Sequence, residues 1–355
     1  MNLYNSQTYL NDIDYVIENT SILEELKDRS VLITGATGLI GSAIIDLLLR
    51  YNENTHDKIT VFAAGRSEDR IRGRFSRYRN DEFLKFVLYD ATKVNSLNFH
   101  VDYIIHGASN SAPKDIQGHA VDTMLDNFMA LHELLMFAAR KNVNSTLFIS
   151  SSEVYGKKES LEPYKEDQYG FVDILNPRSS YSSGKRAGET LCACFSAEKK
   201  VKTVIVRPGH IYGPTAKITD SHVSSLFAFD AANGKDLVLK SSGSQIRSYC
   251  YSLDAATAIL TVLLKGNTSN AYNISNPNSV INIRNMAELI ADAGNVKITV
   301  GEASETEKLG FNPMQNSSLN SEKLQALGWN GLFDAETGFG HTVKILVESK
   351  GKNER

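Results

Sequence analysis

Cysteine is scarce in this chain of 355 residues: Cys192, Cys194 and Cys250 are all there are, and there is one tryptophan. Cys192 and Cys194 are two apart on a predicted helix and point away from each other. They read as small packing residues rather than metal ligands, and no metal site is expected. An odd, low count fits a reducing compartment, and a cytoplasmic location is expected. No apolar run approaches the roughly 18 residues of a membrane span, and no basic-then-apolar signal opens the chain. The formal net charge is only -3, so nothing global points to nucleic acid or to an anionic membrane surface. What remains is ordinary globular composition, 42% hydrophobic and 22% charged, enough for one large or two modest domains.

The organisation follows from periodicity. Residues 1–28 are polar and aromatic, with Ile13, Val16 and Ile17 at helical spacing, so a short extra helix is expected. Short apolar strands are expected at 31–34, 58–63, 86–89, 103–106, 146–149 and 204–206, with helices over 39–49 and 121–140 between them. Strands alternating with helices imply right-handed crossovers and a parallel sheet covered on both faces. After Pro208-Gly209 the alternation fades. Helices over 221–232, 254–264 and 286–293 and a strand at 237–239 read as a smaller mixed lobe. The expected division is a helical extension (1–29), a Rossmann-type doubly wound α/β domain (30–208) and a second α/β domain (209–348), with some exchange of elements between the last two.

Gly35-Ala36-Thr37-Gly38-Leu39-Ile40-Gly41 lies between the first strand and its helix. In such a turn the first glycine permits the sharp bend. The second lets a phosphate approach the backbone, and the third lets helix and strand pack closely. The segment therefore reads as a dinucleotide pyrophosphate site. A pocket for NAD usually carries Asp or Glu at the end of the second strand, about 20 residues on. Here that stretch is Ala63-Ala64-Gly65-Arg66-Ser67, with no acid. Arg66 would sit over adenine or pair with a 2′-phosphate, so the cofactor is NAD or NADP. Asp90, ending the third strand, suits the adenine amino group.

Tyr181 and Lys185 are four apart, which on a helix puts phenol and ammonium on one face. A free phenol ionises near pH 10, and a base near neutrality needs a shift of roughly three units. The lysine charge and an oxidised nicotinamide are expected to supply it. Ser150-Ser151-Ser152-Glu153 follows the strand ending at Ile149, and residues at that edge of a parallel sheet face the ligand crevice. Ser151 is placed to hydrogen-bond the substrate alcohol that Tyr181 deprotonates. Glu153 adds a second acid or base, unless it is a loop carboxylate paired with a nearby lysine.

These residues resemble the extended short-chain dehydrogenase/reductase family, the NAD-dependent epimerases and dehydratases of nucleotide sugars. The resemblance runs from about Ser30 to Trp329. It rests on Gly35–Gly41, His106-Gly107-Ala108-Ser109, Asn127, Ser150–Gly156, Tyr181-x-x-x-Lys185, Arg207-Pro208 with Tyr212-Gly213-Pro214, Gly243–Arg247 and Leu327-Gly328-Trp329. Within the family the chain is most similar to the UDP-glucuronate decarboxylase and 4,6-dehydratase branches. Ser152-Glu153, Pro177-Arg178 and Ala108-Ser109-Asn110-Ser111-Ala112-Pro113 carry that likeness.

The resemblance implies tightly bound NAD(P) held by Gly35, Thr37, Gly38, Leu39, Ile40, Gly41, Arg66, Asp90, Ala91, Ala108, Ser109, Ser150, Tyr181, Lys185 and Pro208. It implies a nucleotide-diphosphate sugar met by Ser111, Arg178, His210 and Arg247, with Arg247 on the diphosphate and Arg178 on a substrate carboxylate. Catalysis would fall to Tyr181, Lys185, Ser151, Ser152 and Glu153. A homodimer through two long helices, with no nucleic-acid or membrane partner, is also implied. The implied chemistry is oxidation at sugar C4 followed by decarboxylation or dehydration at C5, with a 4-epimerase or an NADPH-dependent ketone reductase as alternatives. Two departures stand out. His210 replaces the family asparagine two residues before the tyrosine of Tyr-Gly-Pro, and Gly65-Arg66 replaces the acid after the second strand.

Overall fold

The computed structural model describes residues 1–93, 95, 97–109, 118–303 and 314–350. Its centre is a seven-stranded, wholly parallel sheet. The strands are β1 (Ser30–Thr34), β2 (Thr60–Gly65), β3 (Leu84–Leu88), β4 (Tyr103–His106), β5 (Ser145–Ile149), β6 (Thr203–Pro208) and, far along the chain, β10 (Asn270–Ile274). Their spatial order is β10-β6-β5-β4-β1-β2-β3. The winding therefore reverses between β1 and β4, the place where doubly wound sheets open a ligand crevice.

Strand alternation divides the core into two layers. Val31, Ile33, Leu147, Ile149, Val204 and Val206 face one cluster, which includes α2 (Leu39–Asn54) and α7 (Ser252–Lys265). Leu32, Phe148 and Ile205 face the other, against α4 (Ala120–Lys141) and α5 (Ser180–Lys199). A period of two along each strand, buried on both sides, requires this split. Between β2 and β3 runs the short α3 (Glu68–Arg74). The third strand ends at Leu88, one residue before the expected Tyr89, because its partner β2 stops at Gly65, opposite Leu88.

A smaller lobe covers the crevice end of the sheet. It holds β7 (His210–Tyr212), α6 (Val223–Ala232), β8 (Leu237–Leu239), β9 (Ile246–Tyr251), β11 (Val280–Asn282), α8 (Ile283–Gly294) and β12 (Ile298–Val300). The chain does not divide by one cut at 208: α7 packs on the large sheet and β10 pairs with β6 before the lobe resumes. A last helix, α9 (Ala335–Glu348), was not legible from periodicity. Its segment contains Gly338 and Gly340, both weak helix formers. Tertiary contacts hold it: Phe339 is fully buried and stacks on Tyr212 at 3.8 Å between ring centroids.

The N-terminal helix α1 (Gln7–Glu18) is integral to this packing. Asp46 of α2 is fully buried and accepts hydrogen bonds from Tyr4, Tyr9 and Arg74. Asp12 accepts from Tyr251 (2.9 Å) and pairs with His341 of α9 (2.8 Å). Buried carboxylates are tolerated only when partnered in this way. Among the described residues no helix is long and apolar enough to cross a membrane, and no cluster of three or more metal-ligating side chains occurs.

Candidate active site

The crevice begins at the glycine turn. Gly35 has φ +74°, and a Cβ there would lie 2.8 Å from the carbonyl carbon and oxygen of Gly107, in the loop after β4. A Cβ on Gly41 would lie 2.4 Å from the Gly35 oxygen. Two strand-end loops thus meet with only backbone between them. Gly38 is the N-cap of α2 and makes no side-chain cap, so the first-turn N–H groups of Leu39, Ile40 and Gly41 have no capping partner. Thr37, Leu39 and Ile40 are partly exposed beside them. A bare helix N-terminus under a glycine turn suits a pyrophosphate, so these residues fit a dinucleotide.

Thr34 fastens the loop opposite. Its oxygen accepts the N–H groups of Gly107 and Ala108, each at 3.2 Å, and lies 2.8 Å from His106 Nδ1. With both backbone donors on that oxygen, its O–H donates to Nδ1. Burial, helped by the Lys185 charge, lowers His106 to about 3 and keeps the imidazole neutral. Ser109 donates to Asn127 Oδ1 at 2.8 Å. Ala91 and Asp90 follow β3. Asp90 accepts from the Thr92 N–H and hydroxyl, which outweigh burial and lower its carboxyl. Arg66 is exposed. Ser111 lies outside the described residues.

Helix α5 brings the phenol and the ammonium to the end of β5. It can do so because a Cβ at Gly188 would lie 2.8 Å from the Phe148 ring, and one at Gly184 would touch α4. Tyr181 and Lys185 are buried, and the lysine is 2% exposed. Lys185 Nζ donates to the Ile149 carbonyl at 2.9 Å and lies 5.7 Å from the Tyr181 ring centroid. Burial pushes Lys185 down to about 7, while Glu189 one turn further on pulls it up. Sequence spacing predicts a phenol made acidic by Lys185. In this structure burial dominates instead and raises Tyr181 above its ordinary value. The Glu153 charge adds to the rise, and Ser151 and Arg178 oppose it. The charges and burial around Tyr181 thus run, on balance, against a neutral-pH base.

The turn after β5 presents Ser151, Ser152 and Glu153, all partly exposed. Ser151 Oγ accepts the Glu153 N–H at 3.2 Å. Arg186 of α5 locks the turn by donating to the Val154 (2.7 Å), Tyr155 (3.3 Å) and Gly170 (3.1 Å) carbonyls. Glu153 is paired, but with Arg178 rather than a lysine: two N–H···O contacts of 3.0 and 2.9 Å join them. Arg178, expected on a substrate carboxylate, here holds a protein one.

Other expected residues are placed differently from one another. The Ser150 hydroxyl donates to Glu189 at 2.6 Å. Pro208 is buried at the end of β6. Arg247 is 3% exposed and donates to the Ile246 and Met314 carbonyls; burial lowers its guanidinium. His210 is lowered to about 3 by burial and by the nearby Arg247 and His222 charges, and its Nδ1 is buried with no partner among the described residues.

Two features escaped sequence reasoning. Glu189 pairs with the 2%-exposed Arg207 at 2.6 Å, behind the Tyr181-Lys185 face. Its spacing, four beyond Lys185, was the available signal. The second is His222, whose Nδ1 lies 2.6 Å from Asp220. Burial lowers His222, but the Asp220 hydrogen bond and charge, with the Glu153 carboxylate across the crevice, raise it overall. Nothing local in the sequence links residues 153 and 222.

Residues 31–275 match the NAD dependent epimerase/dehydratase family. The chain belongs to that family. A UDP-glucuronic acid decarboxylase 1 of Xenopus tropicalis is 27% identical over 90% of this chain and 73% of its own length. UDP-glucuronic acid decarboxylase 3 of Arabidopsis thaliana is 29% identical over 84% of this chain and 83% of its own. Among solved structures, a UDP-glucuronic acid 4-epimerase from Bacillus cereus, in complex with UDP-glucuronic acid and NAD, superposes with a TM-score of 0.72. It is 18% identical and covers 89% of this chain and 98% of its own. This member of the NAD dependent epimerase/dehydratase family thus has the family's sheet, and it is a nucleotide-sugar modifying enzyme dependent on a nicotinamide dinucleotide.

Proposed function

We propose that this enzyme decarboxylates a nucleotide-linked uronic acid, with UDP-glucuronate as the first candidate. When bound, the dinucleotide supplies a reversible hydride acceptor for C4 of the sugar. Tyr181 takes the proton of the C4 hydroxyl, with the Ser151 hydroxyl as hydrogen-bond partner to phenol and substrate. Lys185, anchored on the Ile149 carbonyl at 2.9 Å, stands one helical turn from that phenol. With C4 a ketone, a C5 carboxylate is a β-keto acid: the C5–C6 bond breaks, carbon dioxide leaves, the enolate takes a proton at C5, and hydride can then return to C4.

The observation that carries this choice is the Glu153–Arg178 pair. A 4,6-dehydratase needs a free carboxylate to remove the C5 proton. Here both Glu153 oxygens already accept guanidinium N–H groups. Decarboxylation asks for no base at C5, so an engaged Glu153 suits it: the pair fixes the turn and leaves the site charge-balanced. The names of the relatives support the same reading.

The test is incubation of the full chain with UDP-glucuronate, UDP-, dTDP-, CDP- and GDP-sugars, read by mass spectrometry. Loss of carbon dioxide from UDP-glucuronate is the expected result. Loss of water from a neutral sugar nucleotide would assign the dehydratase reaction instead, and changed stereochemistry at constant mass the epimerase reaction.

The proposal includes a homodimer. Along α4, Val121, Met124, Leu125 and Met129 are 46–71% exposed, an apolar stripe suited to a second copy. Sedimentation equilibrium tests it. The free cysteines Cys192, Cys194 and Cys250 suit a reducing cytoplasm as the place of action.

A further inference from the structure

In a dinucleotide-binding sheet, the adenosine ribose meets the protein at the C-terminal end of the second strand, where a carboxylate accepts the ribose hydroxyls of NAD and repels a 2′-phosphate. Here β2 ends on Gly65, which packs closely on Ile71. A Cβ at Gly65 would lie 3.2 Å from Ile71 Cδ1. Ile71 is 2% exposed and packs in the core, so a Cβ at 65 would require its terminal methyl to shift. A side chain at the strand end would therefore press on Ile71, and the sequence places no acid there.

The surrounding charges point the same way. Arg66, the next residue, is exposed; its charge helps lower the Asp90 carboxyl, and its side chain makes no hydrogen bond among the described residues. Arg70, one turn into α3, is also exposed. Of the acids at this edge, Glu68 is paired with Arg72 at 2.6 Å. Asp90 has Oδ1 on the Thr92 N–H and hydroxyl and Oδ2 3.6 Å from Lys93 Nζ. Asp69 is exposed beside Arg70. A guanidinium with its fork unspent, next to the place where a ribose acid is missing, is suited to bidentate recognition of a phosphate.

We propose that the cofactor pocket accepts NADP+ at least as readily as NAD+, with Arg66 as the contact to the 2′-phosphate. The proposal rests on the crevice being a dinucleotide site, and is independent of which sugar is consumed or what becomes of it.

The experiment is calorimetric binding of NADP+ and NAD+ to the nucleotide-stripped full chain, with 2′,5′-ADP and 5′-AMP as fragment probes. NADP+ should bind with a dissociation constant equal to or below that of NAD+, and 2′,5′-ADP more tightly than 5′-AMP. Arg66→Ala should weaken NADP+ and 2′,5′-ADP by about ten- to a hundredfold, the worth of a charge-assisted hydrogen bond, and leave NAD+ and 5′-AMP unchanged. Raising the salt concentration should narrow the difference between the two cofactors. NADP+ binding an order of magnitude or more below NAD+ would overturn the proposal, as would an Arg66→Ala variant that weakens both cofactors alike. Failure of both to bind would remove the dinucleotide site itself, whereas a failure of decarboxylation alone leaves this binding result intact.

Discussion

Arg178 holds both oxygens of Glu153, at 3.0 and 2.9 Å, beside the buried phenol of Tyr181. The two charges act on that phenol in opposite directions: Glu153 raises it and Arg178 lowers it. Arg178→Lys keeps the charge but loses the fork, so it is not a conservative change. Turnover should fall by about 10²-fold, the scale of a catalytic group misplaced by an ångström, with dinucleotide affinity unchanged. Steady-state kinetics beside calorimetric binding separates the two effects.

Glu153→Gln removes the carboxylate charge that raises Tyr181. The phenol should then ionise at lower pH, seen by ultraviolet difference titration. If decarboxylation is the reaction, product should still form. Complete loss of C5 chemistry with C4 oxidation preserved would make Glu153 the base and favour dehydration.

Tyr181→Phe should reduce turnover by at least about 10²- to 10⁴-fold, the usual worth of a general base. The ring stays and its burial with it, so thermal stability and dinucleotide binding should be retained. A variant with near-normal turnover would remove the proposed base.

Gly41→Ala places a Cβ 2.4 Å from the Gly35 carbonyl oxygen, a backbone atom that cannot rotate away. The expected cost is about 1–3 kcal/mol of stability, typical of overpacking, together with loss of dinucleotide binding. Urea denaturation and calorimetry read these separately.

His222 gives the pH signature. Its imidazole lies above the ordinary 6.5 because Asp220 and Glu153 outweigh burial. A raised histidine contributes stability that is complete below its unfolded value and is lost as pH rises through the folded one. Asp220→Asn should therefore lower the His222 titration seen by NMR. It should also depress the melting temperature more at about pH 5 than at about pH 8.

Much of the site was legible because it is local. Gly35-x-x-Gly38-x-x-Gly41 between strand and helix, and Tyr181 four before Lys185, are short-range patterns whose geometry follows from chain stiffness alone. The parallel sheet was legible for the same reason, from apolar strands alternating with helices. Long-range pairings left no such trace. The partner of Glu153 is 25 residues away and that of Arg207 is 18, and each side chain had several candidates of opposite charge. Likewise β10 joins the large sheet from beyond the second lobe, and α9 is a helix because Tyr212 and its neighbours give Phe339 a place to bury.

By itself, then, the chain determined its glycine turn, its tyrosine and lysine on one helical face, and the doubly wound α/β class, since periodicity and backbone sterics act over a few residues. Only the tertiary structure decided that Glu153 is engaged, that burial governs Tyr181 and Lys185, and that Ile71 packs closely on Gly65. Desolvation, charge pairing and excluded volume depend on which distant residues arrive alongside, and that information exists only once the chain has packed.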